Sequence, residues 1–289
     1  MFNDFYTAEQ TASVAAAIVG LDLRLAGLIW RDVEADFKPG SGKTVNVRVP
    51  GAVASQTRGI YDTTTPLVSD EINEQKIPVT LTDHVYDLVT LSEGDMSLEI
   101  EDFAAQVLRP QALAIVKHVE RAVAKALKAT PAAEISYDSA HPAKALTQVR
   151  RRLRENGVQA EAPLFAAVGA SIYADLLDSG ALDQGDTVRG FKVVESTRLE
   201  ADEIVGFVKE AFALAVRAPE VPNGAAYGAS VDHGDFALRH IISFDSSVAA
   251  DRSLVSAFVG VAPMPLAVDR ENGEVDLVEH GGAVRVTTA

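Results

Sequence analysis

Gly40-Ser41-Gly42-Lys43-Thr44 has the residue types of a phosphate cradle, because Gly-Lys-Thr ends the phosphate-binding loop. That loop also needs a glycine five residues before Gly42, where this chain has Phe37, and a helix whose N-terminus meets the phosphate. Here the cluster leads into the alternating run 44–49, so the glycines read as a turn. Gly169-Ala170-Ser171-Ile172-Tyr173 begins like a nucleophile elbow, but Tyr173 stands where the sharp turn needs its second glycine. Ser171 reads instead as the N-cap of a helix over 172–178. The six histidines, His84, His118, His141, His233, His240 and His280, include no i, i+4 pair, and with no cysteine a thiolate-assisted zinc site is excluded. His233 with Asp232 and Asp235 reads as a solvated acidic turn. Arg150, Arg151, Arg152 and Arg154 surround Leu153 and read as a solvated or subunit-contacting helix surface. Carboxylates crowd together at Glu99, Glu101 and Asp102, as they must in so acidic a chain. The expectation is no catalytic residue, no metal and no cofactor.

Charge narrows the partners. Across 289 residues, 41 acidic against 26 basic side chains give a net −15, which argues against binding nucleic acid by neutralising phosphates. Hydrophobic residues at 47% supply a core and rule out bulk disorder. The start Met1-Phe2-Asn3-Asp4 lacks the basic region of a signal peptide, and the apolar run 11–30 carries Asp22 and Arg24. The expectation is a soluble, membrane-free protein made in a cytoplasm.

Hydrophobic periodicity sets the elements that would position any site. Val14, Ile18, Leu21, Leu25 and Leu28 fall at spacings of 4, 3, 4 and 3, one face of a helix over 8–30 whose other side is rich in alanine. That face suits either the subunit's own domain or an arm lying on a neighbour. Residues 44–49 read as a strand, 54–73 as a polar span, and 75–91 as a second β-rich run. Two strands joined by so long a span make an extended hairpin, which is unstable alone and must rest on something. Ser92 caps a helix predicted over 96–128, about 50 Å long at 1.5 Å per residue, which Pro110 should kink or divide. Helices and strands then alternate: helix 143–156, strand 164–168, helix 171–177, strands 191–194, 204–208 and 212–216. Residues 221–230 read as loop, followed by strands at 236–244, 254–261, 275–278 and 284–286.

That order of elements resembles one family, the major capsid (coat) proteins of tailed bacteriophages with the Hong Kong 97-like fold, which encapsulin shells share. Ile77-Pro78-Val79-Thr80-Leu81-Thr82-Asp83-His84 is similar to the entry of the spine helix in coat proteins of the phage P22 type. Ala167-Val168-Gly169-Ala170-Ser171-Ile172-Tyr173 resembles the strand and helix that open the domain near the capsomer axis. Gly190-Phe191-Lys192-Val193-Val194-Glu195-Ser196 and Phe212-Ala213-Leu214-Ala215-Val216-Arg217 are similar to its later strands, and 236–262 to the return through the peripheral domain.

The resemblance implies an α+β fold with an N-terminal arm at 1–38 and an extended loop (E-loop) at 39–92. A spine helix and peripheral domain occupy 93–138, an axial domain 139–232, and a peripheral return with C-terminal strands 233–289. It implies a homo-oligomer, pentamers and hexamers in an icosahedral shell that encloses double-stranded DNA without reading its sequence, assembled in the host cytoplasm and residing in the virion. Scaffolding, portal and decoration proteins are the implied partners, and the expectation is that a separate scaffolding protein, not a segment ahead of residue 1, supplies any assembly control. Some members crosslink Lys to Asn; Lys43, Lys76 and Asn272 exist here, but no crosslinking motif surrounds them. Val14, Ile18, Leu21, Leu25 and Leu28 become the expected assembly contacts. An encapsulin-like cargo compartment is the alternative on the same fold, and an unrecognised soluble enzyme the alternative outside it.

Overall fold

The computed structural model describes residues 7–37, 42–49, 51, 53–69, 71–72, 74–95, 102–182, 186–225, 227–232, 236–269 and 274–287, without the side chains of 18–22 and 35–36. The chain folds as two compact units. The first takes Met1–Thr44, Thr80–Ala126 and Leu214–Ala262, and the second Val45–Val79, Leu127–Ala213 and Pro263–Ala289.

In the first unit, α1 (Ala8–Asp22) opens on a reciprocal cap. Gln10 N–H donates to Thr7 Oγ1 (3.2 Å) and Thr7 N–H to Gln10 Oε1 (2.9 Å), so the first turn has partners for two amides. The helix stops at Asp22 although the apolar spacing continues to Leu28. The amides of Arg24, Leu25 and Ala26 donate to the carboxylate of Glu120, at 2.8, 3.2 and 3.1 Å, instead of to the carbonyls one turn back. A 3-10 turn (Ala26–Leu28) and a second (Asp32–Asp36) come after it.

The arm strands are β1 (Thr44–Val49) and β2 (Gln75–Thr80), paired as a two-stranded sheet. The expected run 75–91 is two strands. After a break at 81–82, β3 (Asp83–Ser92) leaves the arm for the first unit's sheet, so only 75–80 of that run pairs with β1. Ser92 caps as expected: its Oγ accepts from Asp95 N–H (3.1 Å) and donates to the Asp95 carboxylate (2.7 Å). Residues 96–101 of the expected long helix lie outside the described residues. Ala104–Leu108 is a π-helical turn, and α2 (Arg109–Lys128) carries Pro110 as its second residue. Pro110 has no N–H to give Gln106, and its ring would press on that carbonyl; widening the turn, with Arg109 N–H donating to Ala104, accommodates both. Ala112, Ile115, Val119 and Val123 form the buried stripe of α2 at helical spacing, continuing from Leu108 in the π-helical turn.

The second unit holds α3 (Ala143–Glu155), β4 (Leu164–Val168), α4 (Ala170–Asp178), β5 (Thr187–Val188), β6 (Phe191–Glu195) and β7 (Glu203–Val208). Then β8 (Phe212–Arg217), β9 (Tyr227–Asp232), β10 (Ala237–Asp245) and β11 (Ala250–Pro263) build the first unit's sheet, in the antiparallel order β3-β11-β10-β9 with β8 also on β11. Residues 227–230 are therefore strand rather than loop. A small hairpin, β12 (Leu266–Asp269) with β13 (Val275–Val278), precedes β14 (Ala283–Thr287). β14 closes the second unit's sheet, in the order β14-β7-β4-β6-β5, where only β4 and β6 run parallel, joined through α4.

Two expected boundaries move. Residues 214–232 belong with the first unit, because β9 hydrogen-bonds β10; residues 263–289 belong with the second, because β14 hydrogen-bonds β7. All six residues of β7 are buried, as a central strand covered on both faces requires. Its Glu203 is fully buried and is tolerated because Arg285 on β14 pairs with it and Glu200 N–H donates to it (3.1 Å).

Candidate assembly surfaces

The residues whose types suggested chemistry do not converge on an active site. Gly42 turns with φ +79°, Lys43 C=O accepts from Leu81 N–H (2.8 Å), and the next element is β1 rather than a helix. Ser171 is exposed inside the first turn of α4, whose N-cap is Gly169, not Ser171. A Cβ at Gly169 would sit 1.9 Å from Glu200 O, so glycine there lets two backbone segments approach. Leu153 is buried, while Arg151 and Arg152 lie outside it on Glu155 (2.7 and 3.7 Å); Arg150 and Arg154 donate to backbone carbonyls. No group of three or more His, Asp or Glu side chains among the described residues could hold a metal ion. His233 and Asp235 lie outside the described residues, as does Asn272.

Among the described residues, His240 is the buried histidine. Its Nε2 lies 3.0 Å from Ser253 Oγ, which donates to Gln111 Oε1 (2.7 Å), while Gln111 Nε2 donates to Ser253 O (2.9 Å). Burial pushes its pKa down to about 4. This chain of polar groups ties β10 and β11 to α2 and is closed to solvent; it positions the sheet.

The expected arm contacts divide. Leu25 and Leu28 are buried in the subunit, 1% and 8% exposed, so the 8–30 seam is not one surface. Thr11, Ala12, Ala15 and Ala16 face β9 and β10, with Thr11 Oγ1 at 3.1 Å from Tyr227 Oη. The alanine-rich side packs because small side chains let the helix lie close to the sheet. Val14, 41% exposed, lies off that face, and the side chains of Ile18 and Leu21 lie outside the described residues.

The span between β1 and β2, polar by its overall pattern, also holds exposed apolar residues. Ile60 and Tyr61 are each 95% exposed, and Val53, Leu67, Val68 and Ile72 exceed half exposure. The tip that carries Ile60 and Tyr61 is organised by its own hydrogen bonds. Asp62 N–H donates to Gly59 O (3.0 Å), and the Asp62 carboxylate accepts from the amides of Thr64 (2.9 Å) and Thr65 (3.1 Å) and from both hydroxyls. Arg58 Nη1 donates to Thr65 O (2.9 Å) across the turn. The threonine hydrogen bonds hold the Asp62 carboxyl well below the usual range. Asp-x-Thr-Thr is a legible turn signal, and the apolar pairs beside it were the cue for a display surface.

This architecture is shared with viral shells. A structure from Mycobacterium phage Che8 matches with a TM-score of 0.59 at 16% identity, over 100% of this chain and 94% of that one. The capsid of cyanophage P-SCSP1u matches at 0.59 with 13% identity, over 86% and 84%. A virus-like particle from Pyrococcus furiosus matches at 0.55 with 12% identity, over 96% and 98%. No protein-family model and no curated protein matches the chain. The likeness spans nearly whole chains in both directions, so the fold is the α+β, Hong Kong 97-like fold of tailed-phage capsid proteins. Among the described residues no helix is long and apolar enough to cross a membrane.

Proposed function

We propose that this chain is a structural major capsid protein, not an enzyme, that self-assembles into an icosahedral shell enclosing double-stranded viral DNA. The observation that carries this reading is the arm. An ordered tip presents Ile60 and Tyr61 almost wholly to solvent, at a cost that burial under a neighbouring subunit removes. In this reading residues 39–82 reach over a neighbour as the E-loop, and α2 is the spine of the peripheral domain. The second unit without its arm is the axial domain, assembled into pentamers and hexamers. Val14, with Ile18 and Leu21, is the part of the N-terminal segment left for contacts between subunits. Scaffolding, portal and decoration proteins are the partners of such a shell, which forms in the host cytoplasm and resides in the virion; kinship with the phage P22 coat branch rests on the sequence stretches alone.

A virus-like particle with this fold supports a second reading, an encapsulin-like cargo shell. Sedimentation velocity and negative-stain imaging of the purified protein test both. Closed shells, or rings of five and six, are expected. Cargo protein inside purified shells would favour the second reading, and a monodisperse monomer at high concentration, with or without a scaffolding partner, would overturn both.

A further inference from the structure

Lys43, Arg217 and Arg239 converge in the first unit on a groove of ≈ 650 Å³, with Phe258 on its wall. In a chain of net −15 these cations should find carboxylates easily, and they do not. Arg217 donates to the Phe37 carbonyl, and Arg239 to Ser256 Oγ (3.2 Å) and the Glu220 carbonyl (2.8 Å), all neutral acceptors. None of the three has a carboxylate within ion-pair distance among the described residues. Two carboxylates do line the groove. Asp83 lies 3.5 Å from His118, and Glu220 offers Arg239 its backbone oxygen, not its side chain. Partial desolvation draws Arg239 below the usual guanidinium range, as expected of a cation short of counter-charge.

The arm carries the complement. Leu67, Val68 and Ile72 are exposed, and Glu71 beside Ile72 is exposed with no partner among the described residues. We propose that Leu67, Val68, Glu71 and Ile72 of one copy's arm seat in this groove of a second copy, with Glu71 meeting Arg217 and Arg239 and Ile72 lying against Phe258. The proposal rests on the shell reading, which requires the arm to find a neighbour, and adds where it lands. Charge and shape both favour this occupant: duplex DNA would meet the cations but leave Phe258 and the apolar arm residues unused, against the field of a strongly acidic protein.

Charge exchange tests it. Arg239→Glu and Glu71→Arg should each lower shell yield about tenfold or more, since a contact weakened by ~1.4 kcal/mol recurs at every subunit. The double variant, which reverses both partners, should restore the yield. Glu71 is exposed, so Glu71→Arg should leave the melting of the unassembled subunit unchanged, which separates lost docking from lost folding. Two single variants that assemble like wild type, or a double variant no better than the worse single, would overturn the proposal while leaving wild-type shells, and the shell reading, intact. Normal shells of Arg239→Glu that retain less DNA would also overturn it and assign the groove to nucleic acid. A wild type that never assembles removes the shell reading and this proposal together.

Discussion

The turn that Glu120 holds and the tip that Asp62 holds are built alike and stand in opposite surroundings. In each, one carboxylate gathers neighbouring backbone amides and fixes a short irregular segment. Glu120 is 1% exposed and takes its amides from a segment about a hundred residues away, locking Leu25 and Leu28 into the core. Asp62 is solvated and takes its amides from the next three residues, holding Ile60 and Tyr61 out in water. The first turn stabilises the subunit it sits in. The second gives its own subunit almost nothing, since solvent-exposed hydrogen bonds return little net free energy and exposed apolar side chains none. The difference separates residues that stabilise the subunit by burial from residues that leave apolar surface in solvent.

The largest expected effect comes from breaking the buried turn. Glu120→Leu strands amides that a leucine cannot satisfy, at about 1–3 kcal/mol for each one left buried. Leu25→Asp places a carboxylate in the apolar site, with a penalty of the same order or larger. Each should lower the melting temperature of the unassembled subunit by about 10 °C, at roughly 2–4 °C per kcal/mol for a chain of this size. Thermal melting by circular dichroism reads this directly. Val14→Asp is the control and should melt like wild type, because Val14 lies off the packed face. Normal melting of Leu25→Asp would return that residue to the arm surface.

Breaking the exposed tip should do the reverse. Ile60→Asp with Tyr61→Asp should leave the subunit's melting within about 1 °C, as surface changes away from structural features do. The same pair should abolish shells in sedimentation velocity. An early-melting double variant would show that the tip packs within its own subunit and would dissolve the contrast.

The same contrast explains what was legible. Strands 44–49, 164–168 and 275–278 and helix 143–155 were readable because a strand or helix with one buried face writes its period into neighbouring residues. The end of α1 was not, because the group that ends it, Glu120, is remote in sequence and local apolar spacing runs through the break. The packing face of α1 was misjudged because close approach selects alanine, which a search for leucine and isoleucine stripes passes over. β9 was hidden by its small and polar residues, Tyr227-Gly228-Ala229-Ser230-Val231-Asp232. The groove was hidden for the same reason as Glu120. Positions 43, 217 and 239 meet only after β8 and β10 both pair with β11, and no spacing announces that.

The smallest expected effects are electrostatic and sharpen the buried half of the comparison. Glu34, in the second 3-10 turn, is drawn up to about 7 by burial, against the opposing pull of Arg31 at 3.0 Å. Asp232 on β9 raises it further, and the backbone amide of Val216 on β8 lowers it. A raised carboxyl pKa means the folded state holds its proton more tightly, so this group contributes stability below about pH 4.5 that is lost as pH rises through 7. His240 has the opposite sense. Its pKa is depressed from 6.5 to about 4, so its contribution is present above pH 6.5 and lost as pH falls toward 4. Between pH 4.5 and 6.5 the two slopes oppose, and the melting temperature of wild type should be nearly flat. Glu34→Gln should uncover the His240 slope, melting a few degrees lower at pH 4.5 than at 6.5. His240→Gln should uncover the Glu34 slope, melting a few degrees higher at pH 4.5 than at 7. Parallel profiles in all three proteins would mean that neither group titrates in the folded unit, and that the pH response of the subunit arises at its exposed carboxylates.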